Sequence, residues 1–91
     1  MSTLWEVDSS PTVSGKGAWH WKGRRKIKNG SSLRWAPMVP VVSMIHDHQG
    51  QYRVYLLAKM LWKGEKYHDG CTVAVKAAQD HFREATKGLK E

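Results

Sequence analysis

The sequence predicts an α+β fold, a small antiparallel sheet of roughly three to five strands with one C-terminal α-helix packed across it. Three observations carry that prediction. Short runs rich in Val, Trp, Tyr and Leu fill residues 18–67, broken by Gly, Pro, Asn and Asp. Asn29-Gly30 and the segment Asp47–Gln51 are turn signals lying between such runs. Only one stretch, close to the C-terminus, repeats apolar residues at helical spacing.

The 91 residues suit one domain rather than two, because a domain needs on the order of 50 to 200 residues to bury a core. Five Trp, three Tyr and one Phe supply the bulky apolar groups for that core. Hydrophobic residues at 41% beside 25% charged ones are ordinary globular usage, which excludes a disordered chain. The single cysteine, Cys71, cannot close an internal disulfide, so the expected compartment is the reducing one of a bacterial cytosol. Residues 1–8 lack the basic start and apolar stretch of a signal peptide. The apolar stretch from Pro37 to Ile45 falls far short of the ~20 residues that span a bilayer, and no membrane association is expected.

Taken in order, residues 8–17 (Asp-Ser-Ser-Pro-Thr-Val-Ser-Gly-Lys-Gly) read as a flexible connector. Ala18–Lys22 alternates large apolar with polar residues and reads as a short strand, with His20 and Lys22 exposed if Trp19 and Trp21 face inward. Gly23 closes it, and residues 23–32 read as a basic loop ending in the Asn29-Gly30 bend. Leu33-Arg34-Trp35 resumes a strand, and Pro37 and Pro40 hold the next stretch extended at a sheet edge. Residues 41–59 read as a β-hairpin, Val41–His46 and Tyr52–Lys59 joined across 47–51. In its second arm Tyr52, Val54, Leu56 and Ala58 share one face, and Arg53, Tyr55, Leu57 and Lys59 the other, which is mixed and partly exposed. Leu61–Tyr67 adds a further strand or tight hairpin bent at 63–65. A helix is expected over 72–88, capped by the Thr72 hydroxyl and stopped at Gly88, with Val75, Ala78, Phe82, Ala85 and Leu89 as its buried stripe.

The net charge of +7 is concentrated. Lys16, Lys22, Arg24, Arg25, Lys26, Lys28 and Arg34 fall within one acid-free segment, whereas Arg53–Glu91 is nearly balanced. A localised positive field favours polyanionic partners: nucleic acid, an acidic protein face or a phospholipid surface.

Trp62-Lys63-Gly64 and Tyr67, followed by Thr72-Val73-Ala74-Val75-Lys76-Ala77-Ala78-Gln79-Asp80-His81-Phe82, resemble the ends of small phage and prophage accessory proteins. There an aromatic strand leads into a capped Ala-rich helix. The resemblance covers the last third of the chain and transfers no site residue. Ala74 and Val75 depart from it, standing where acidic residues commonly open such helices. It implies a lineage among accessory proteins of mobile elements, some of which are similar to anti-CRISPR inhibitors of host defence complexes.

The segment from Trp19 to Lys28 interleaves aromatics with cations, the combination by which single-stranded nucleic acid is held, since rings stack on bases while cations track phosphates. The candidate binding residues are Trp19, Trp21, Lys22, Arg24, Arg25, Lys26, Lys28, Arg34, Trp35 and Tyr55, aromatics and Arg being the usual interface anchors. The competing reading makes Trp19 and Trp21 core anchors and the cations a solvated loop. His46-Asp47-His48 and His68-Asp69-Gly70-Cys71 could chelate a metal if their loops met, but the spacing fits no familiar zinc site and turns collect His and Asp for backbone reasons, so no metal or other cofactor is assigned. Cys71 beside His68 or His81 could be written as a nucleophile and base, yet no oxyanion or substrate loop accompanies them. His81 is expected to pack beside Phe82. The expected function is non-catalytic: an accessory inhibitor that binds a host protein or nucleoprotein complex, with DNA or RNA contact through residues 19–34. The alternatives are direct nucleic-acid binding by the basic and aromatic segment, and a self-associating structural or assembly protein of a phage particle.

Overall fold

The computed structural model describes residues 4–15 and 17–89. The chain forms a seven-stranded antiparallel sheet with one C-terminal helix packed across it. The strands are β1 (Trp5–Val7), β2 (Thr12–Ser14), β3 (Ala18–Asn29), β4 (Ser32–Trp35), β5 (Val39–His46), β6 (Tyr52–Leu56) and β7 (Lys59–Gly64), followed by α1 (Tyr67–Ala85). More strands form than the three to five expected, because β1 and β2 are three-residue segments whose sequence is too short to show a period. Their pairing with β3 defines them.

The organising element is β3. One of its edges pairs with β2 at residues 18–20 and β1 at 23–25, and it also pairs with β5 along 18–23 and β4 along 26–29. The segment expected to be a basic loop at 23–32 is thus strand as far as Asn29, and Gly23, expected to end the strand, lies inside it. Gly23 is there for space: a Cβ at this position would lie 2.5 Å from Phe82 Cε2 and 2.8 Å from the Glu6 carbonyl oxygen. The bend itself is at Gly30, whose φ of 67° is the left-handed conformation that glycine adopts without penalty. The connector over 8–17 likewise contains β2.

β5 and β6 form a hairpin across 47–51, and β6 ends at Leu56 because the chain turns again at Leu57-Ala58 to begin β7. The 41–59 hairpin therefore gives up its last residues to a second hairpin, and no bend interrupts 61–64. The helix begins five residues before the expected start, at Tyr67. Thr72 does not cap it; its hydroxyl donates to the His68 carbonyl, one turn back. Gly70 is buried within the helix, where a Cβ would lie 2.5 Å from Met44 Sδ.

The core sits between the sheet and α1: Trp21, Val41, Val42, Met44, Val54, Ala74, Ala78 and Phe82 are buried, with Trp5, Val7, Trp19, Tyr52 and Trp62 packed around them. The buried helix line is Gly70, Ala74, Ala78 and Phe82, at a strict spacing of four. It is rotated from the expected stripe, so that Val75 is half-buried, Ala85 exposed, and Thr86 buried with its hydroxyl on the Phe82 carbonyl at 2.9 Å. The molecule measures 51 Å along its longest axis and 22 Å along the other two, and α1 makes no contact with β4.

Candidate functional site

Strand alternation divides the side chains of the sheet between two faces. On the helix side stand Trp19, Trp21 and Gly23 of β3, cross-paired with Met44, Val42 and Val39. Directly opposed residues share a face, so Val54 and Trp62 join Met44 on the same side. The opposite face, which no helix covers, receives Lys22, Arg24, Lys26 and Lys28 from the alternate positions of β3. Successive members of this row are spaced by about 7 Å, twice the strand rise.

Cross-strand pairing builds the surroundings of the row. Trp35 is paired with Lys26 and therefore lies on the same face. Its ring is covered by the guanidinium of Arg24 at 4.3 Å from the centroid and the ammonium of Lys26 at 5.2 Å. Arg24 also donates from Nε to Glu6 Oε1 at 2.5 Å, Glu6 being its partner across β1. On the far side of the face, Tyr55 is paired with Ser43 and flanked by Arg53, which is paired with Lys63. The neighbouring Tyr55 side chain, opposed by desolvation and reinforced by Asp47, raises the Arg53 pKa above its ordinary value. Glu6 and Asp47, which border the face, are each engaged by an arginine.

Of the candidate residues, Lys22, Arg24, Lys26, Lys28, Trp35 and Tyr55 are brought together on this helix-free face. Arg25 and Arg34 belong to the other side of the ribbon, Arg25 paired with Trp5 and Arg34 with Ile27. Trp21 is corrected outright as a contact residue. It is 0% exposed and anchors the core, with no acceptor for its indole N–H among the described residues. Trp19 is half-buried and packs in tilted geometry on Tyr52 and Tyr67 on the helix side. Arg53 and Lys63 were missed by sequence reasoning. The alternation of β6 already set Arg53 beside Tyr55, but Lys63 joins them only through the β6–β7 register.

Two of the histidines pack on aromatic neighbours. His46 stacks on its cross-strand partner Tyr52 at 4.3 Å, and His81 meets Phe82 edge-on at 5.1 Å. Asp47 closes the β5–β6 turn by accepting from the backbone N–H groups of Gln49 and Gln51, both at 2.9 Å, and from Arg53 Nε at 3.1 Å. Cys71 lies on the first turns of α1 beside Tyr67, whose phenol pKa is raised mainly by its hydrogen bond with the thiol. Among the described residues no three His, Cys, Asp or Glu side chains gather as a metal would require, and no helix is long and apolar enough to cross a membrane.

Comparison of the chain with protein-family models, with curated proteins and with solved structures gave no match.

Proposed function

We propose that this protein is a non-catalytic binding protein that engages nucleic acid through the helix-free face of its sheet. The observation that supports this reading is the row Lys22, Arg24, Lys26 and Lys28 on one side of β3, with Trp35 and Tyr55 on the same face. Evenly spaced cations on a rigid strand suit a partner whose negative charges also repeat evenly, and the phosphate backbone is such a partner. An acidic protein surface would ask for no such regularity. As an accessory inhibitor of a host nucleoprotein defence complex, the role suggested by the C-terminal resemblance, the protein would present this same face to the guide or target nucleic acid of that complex.

The test is fluorescence anisotropy with labelled DNA and RNA, repeated from about 50 to about 200 mM salt. Binding is expected to weaken steeply, with a log–log slope of about −0.9 for each duplex phosphate neutralised. A variant carrying Lys22→Ala, Arg24→Ala, Lys26→Ala and Lys28→Ala should keep its fold and lose both the affinity and most of the slope. Binding that is absent at low salt, or that survives the quadruple change, sinks the reading.

A further inference from the structure

Resting on that nucleic-acid reading, we infer that the partner is double-stranded DNA, and that the β3–β4 ribbon enters its major groove. Three features of the ribbon carry this.

First, the ribbon is cationic on both sides. Lys26 and Lys28 project on one side and Arg25 and Arg34 on the other, with Arg34 and Lys28 both exposed. A single strand lying along the sheet meets one side only. A groove offers phosphates on two walls, so cations on both sides of an inserted element all find partners.

Second, the ribbon has the dimensions for insertion. From Lys26 to Trp35 it consists of two strands and a turn, and β4 contacts no element other than β3. The B-form major groove, about 12 Å wide, admits a two-stranded ribbon. The A-form major groove of duplex RNA is too narrow and deep for side chains to read. At the leading end Asn29, Ser31 and Ser32 are exposed polar groups able to meet base edges. Gly88 and Leu89, beyond the helix, lie beside Lys28, Ser31 and Leu33, and Lys28 itself stays exposed.

Third, the aromatics are ill-placed for single-strand stacking. The Trp35 ring has the Arg24 guanidinium and the Lys26 ammonium against it, and Trp21 is buried. Single-strand sites rely on free ring faces to stack successive bases.

The experiment compares a labelled DNA duplex with its separate strands and with the matching RNA duplex, then challenges the DNA complex with methyl green, a major-groove ligand, and netropsin, a minor-groove ligand. Duplex DNA is expected to bind at least about tenfold more tightly than either strand or the RNA duplex, with displacement by methyl green but not netropsin. Arg34→Ala should lower duplex affinity and flatten its salt slope by about 0.9 while leaving single-strand binding unchanged. Circular dichroism of this surface variant checks that the fold is retained. Equal or tighter single-strand binding, netropsin displacement, or an Arg34→Ala variant with unaltered slope overturns the groove assignment while nucleic-acid binding stands. Failure to bind any of these probes overturns both.

Discussion

The guanidinium of Arg24 lies over the ring of Trp35, 4.3 Å from its centroid, with the two side chains on neighbouring strands of the same ribbon. The tryptophan arrives there because β4 pairs in the register that sets Trp35 against Lys26. The arginine is held from its other side by Glu6. Under the proposed nucleic-acid reading, Trp35 would act as a splint that fixes a cation in place before the partner arrives, which would lessen the entropy lost on binding.

Replacing Trp35 with Ala should accordingly act on binding more than on folding. The lost cation–π contact is worth about 0.5–1 kcal/mol at a partly exposed site. Urea unfolding should show a loss of about that size, and anisotropy should show weaker nucleic-acid binding with the salt slope nearly unchanged, since every cation remains. Trp35→Phe should recover much of both. A wild-type affinity in Trp35→Ala would show that Arg24 needs no splint.

Much of the fold was legible in the sequence because strand alternation and turn chemistry are local signals. Asn29-Gly30, Asp47–Gln51 and the alternation of 52–56 all lie in the sequence as well as in the structure. What was not legible depended on partners distant along the chain. Gly23 and Gly70 look like breaks to a local reading, yet each is a site where another element comes too close for a side chain: Phe82 at Gly23, and Met44 at Gly70. Reading Gly23 as an end turned a cationic strand into a loop and concealed that its cations alternate between two faces. The basic character of the site was visible, but the separation of Lys22, Arg24, Lys26 and Lys28 from Arg25 and Arg34 required the strand.

The two close approaches predict unequal penalties. At Gly23 an added methyl group meets the backbone oxygen of Glu6 at 2.8 Å as well as the Phe82 ring at 2.5 Å, and neither yields without moving β1 or the core. At Gly70 the nearest atom is the sulfur of Met44 at 2.5 Å, at the end of an unbranched side chain, and alanine also recovers about 1 kcal/mol of helix propensity. Overpacking costs about 1–3 kcal/mol or more. Gly23→Ala should thus lie at or above the top of that range and Gly70→Ala well below it, as read from urea midpoints. Equal losses would contradict the view that the neighbour's ability to yield sets the penalty.

Leu57 carries an avoidable strain. It opens the β6–β7 turn at φ 55°, and its side chain is 66% exposed, so little packing compensates for the left-handed backbone. That conformation costs an L-residue roughly 1–2 kcal/mol relative to the right-handed one. Leu57→Gly removes the strain but adds freedom to the unfolded chain, and the balance should be a gain of about 0.5–1 kcal/mol. Thermal denaturation should show a higher midpoint for Leu57→Gly. A lower midpoint would mean that Leu57 makes contacts outweighing its backbone strain.

Acid should act on the turn at Asp47. The Gln51 backbone N–H does most to lower its pKa below the ordinary 3.8, helped by the Gln49 N–H and by the charges of Arg53 and Lys63, and opposed by desolvation. A carboxyl with a depressed folded-state pKa binds protons more readily when unfolded. Its contribution to stability is complete above the ordinary value and is lost as the pH falls through the folded one. Asp47→Asn keeps an oxygen for the two backbone donors but cannot ionise, and it gives up the ion pair with Arg53. In urea titrations the variant should be less stable than wild type at neutral pH, and the gap should close as the pH falls below the ordinary carboxyl value of 3.8 and the wild-type carboxyl is protonated. A gap that stays constant through that range would show that the Asp47 charge does not secure the turn.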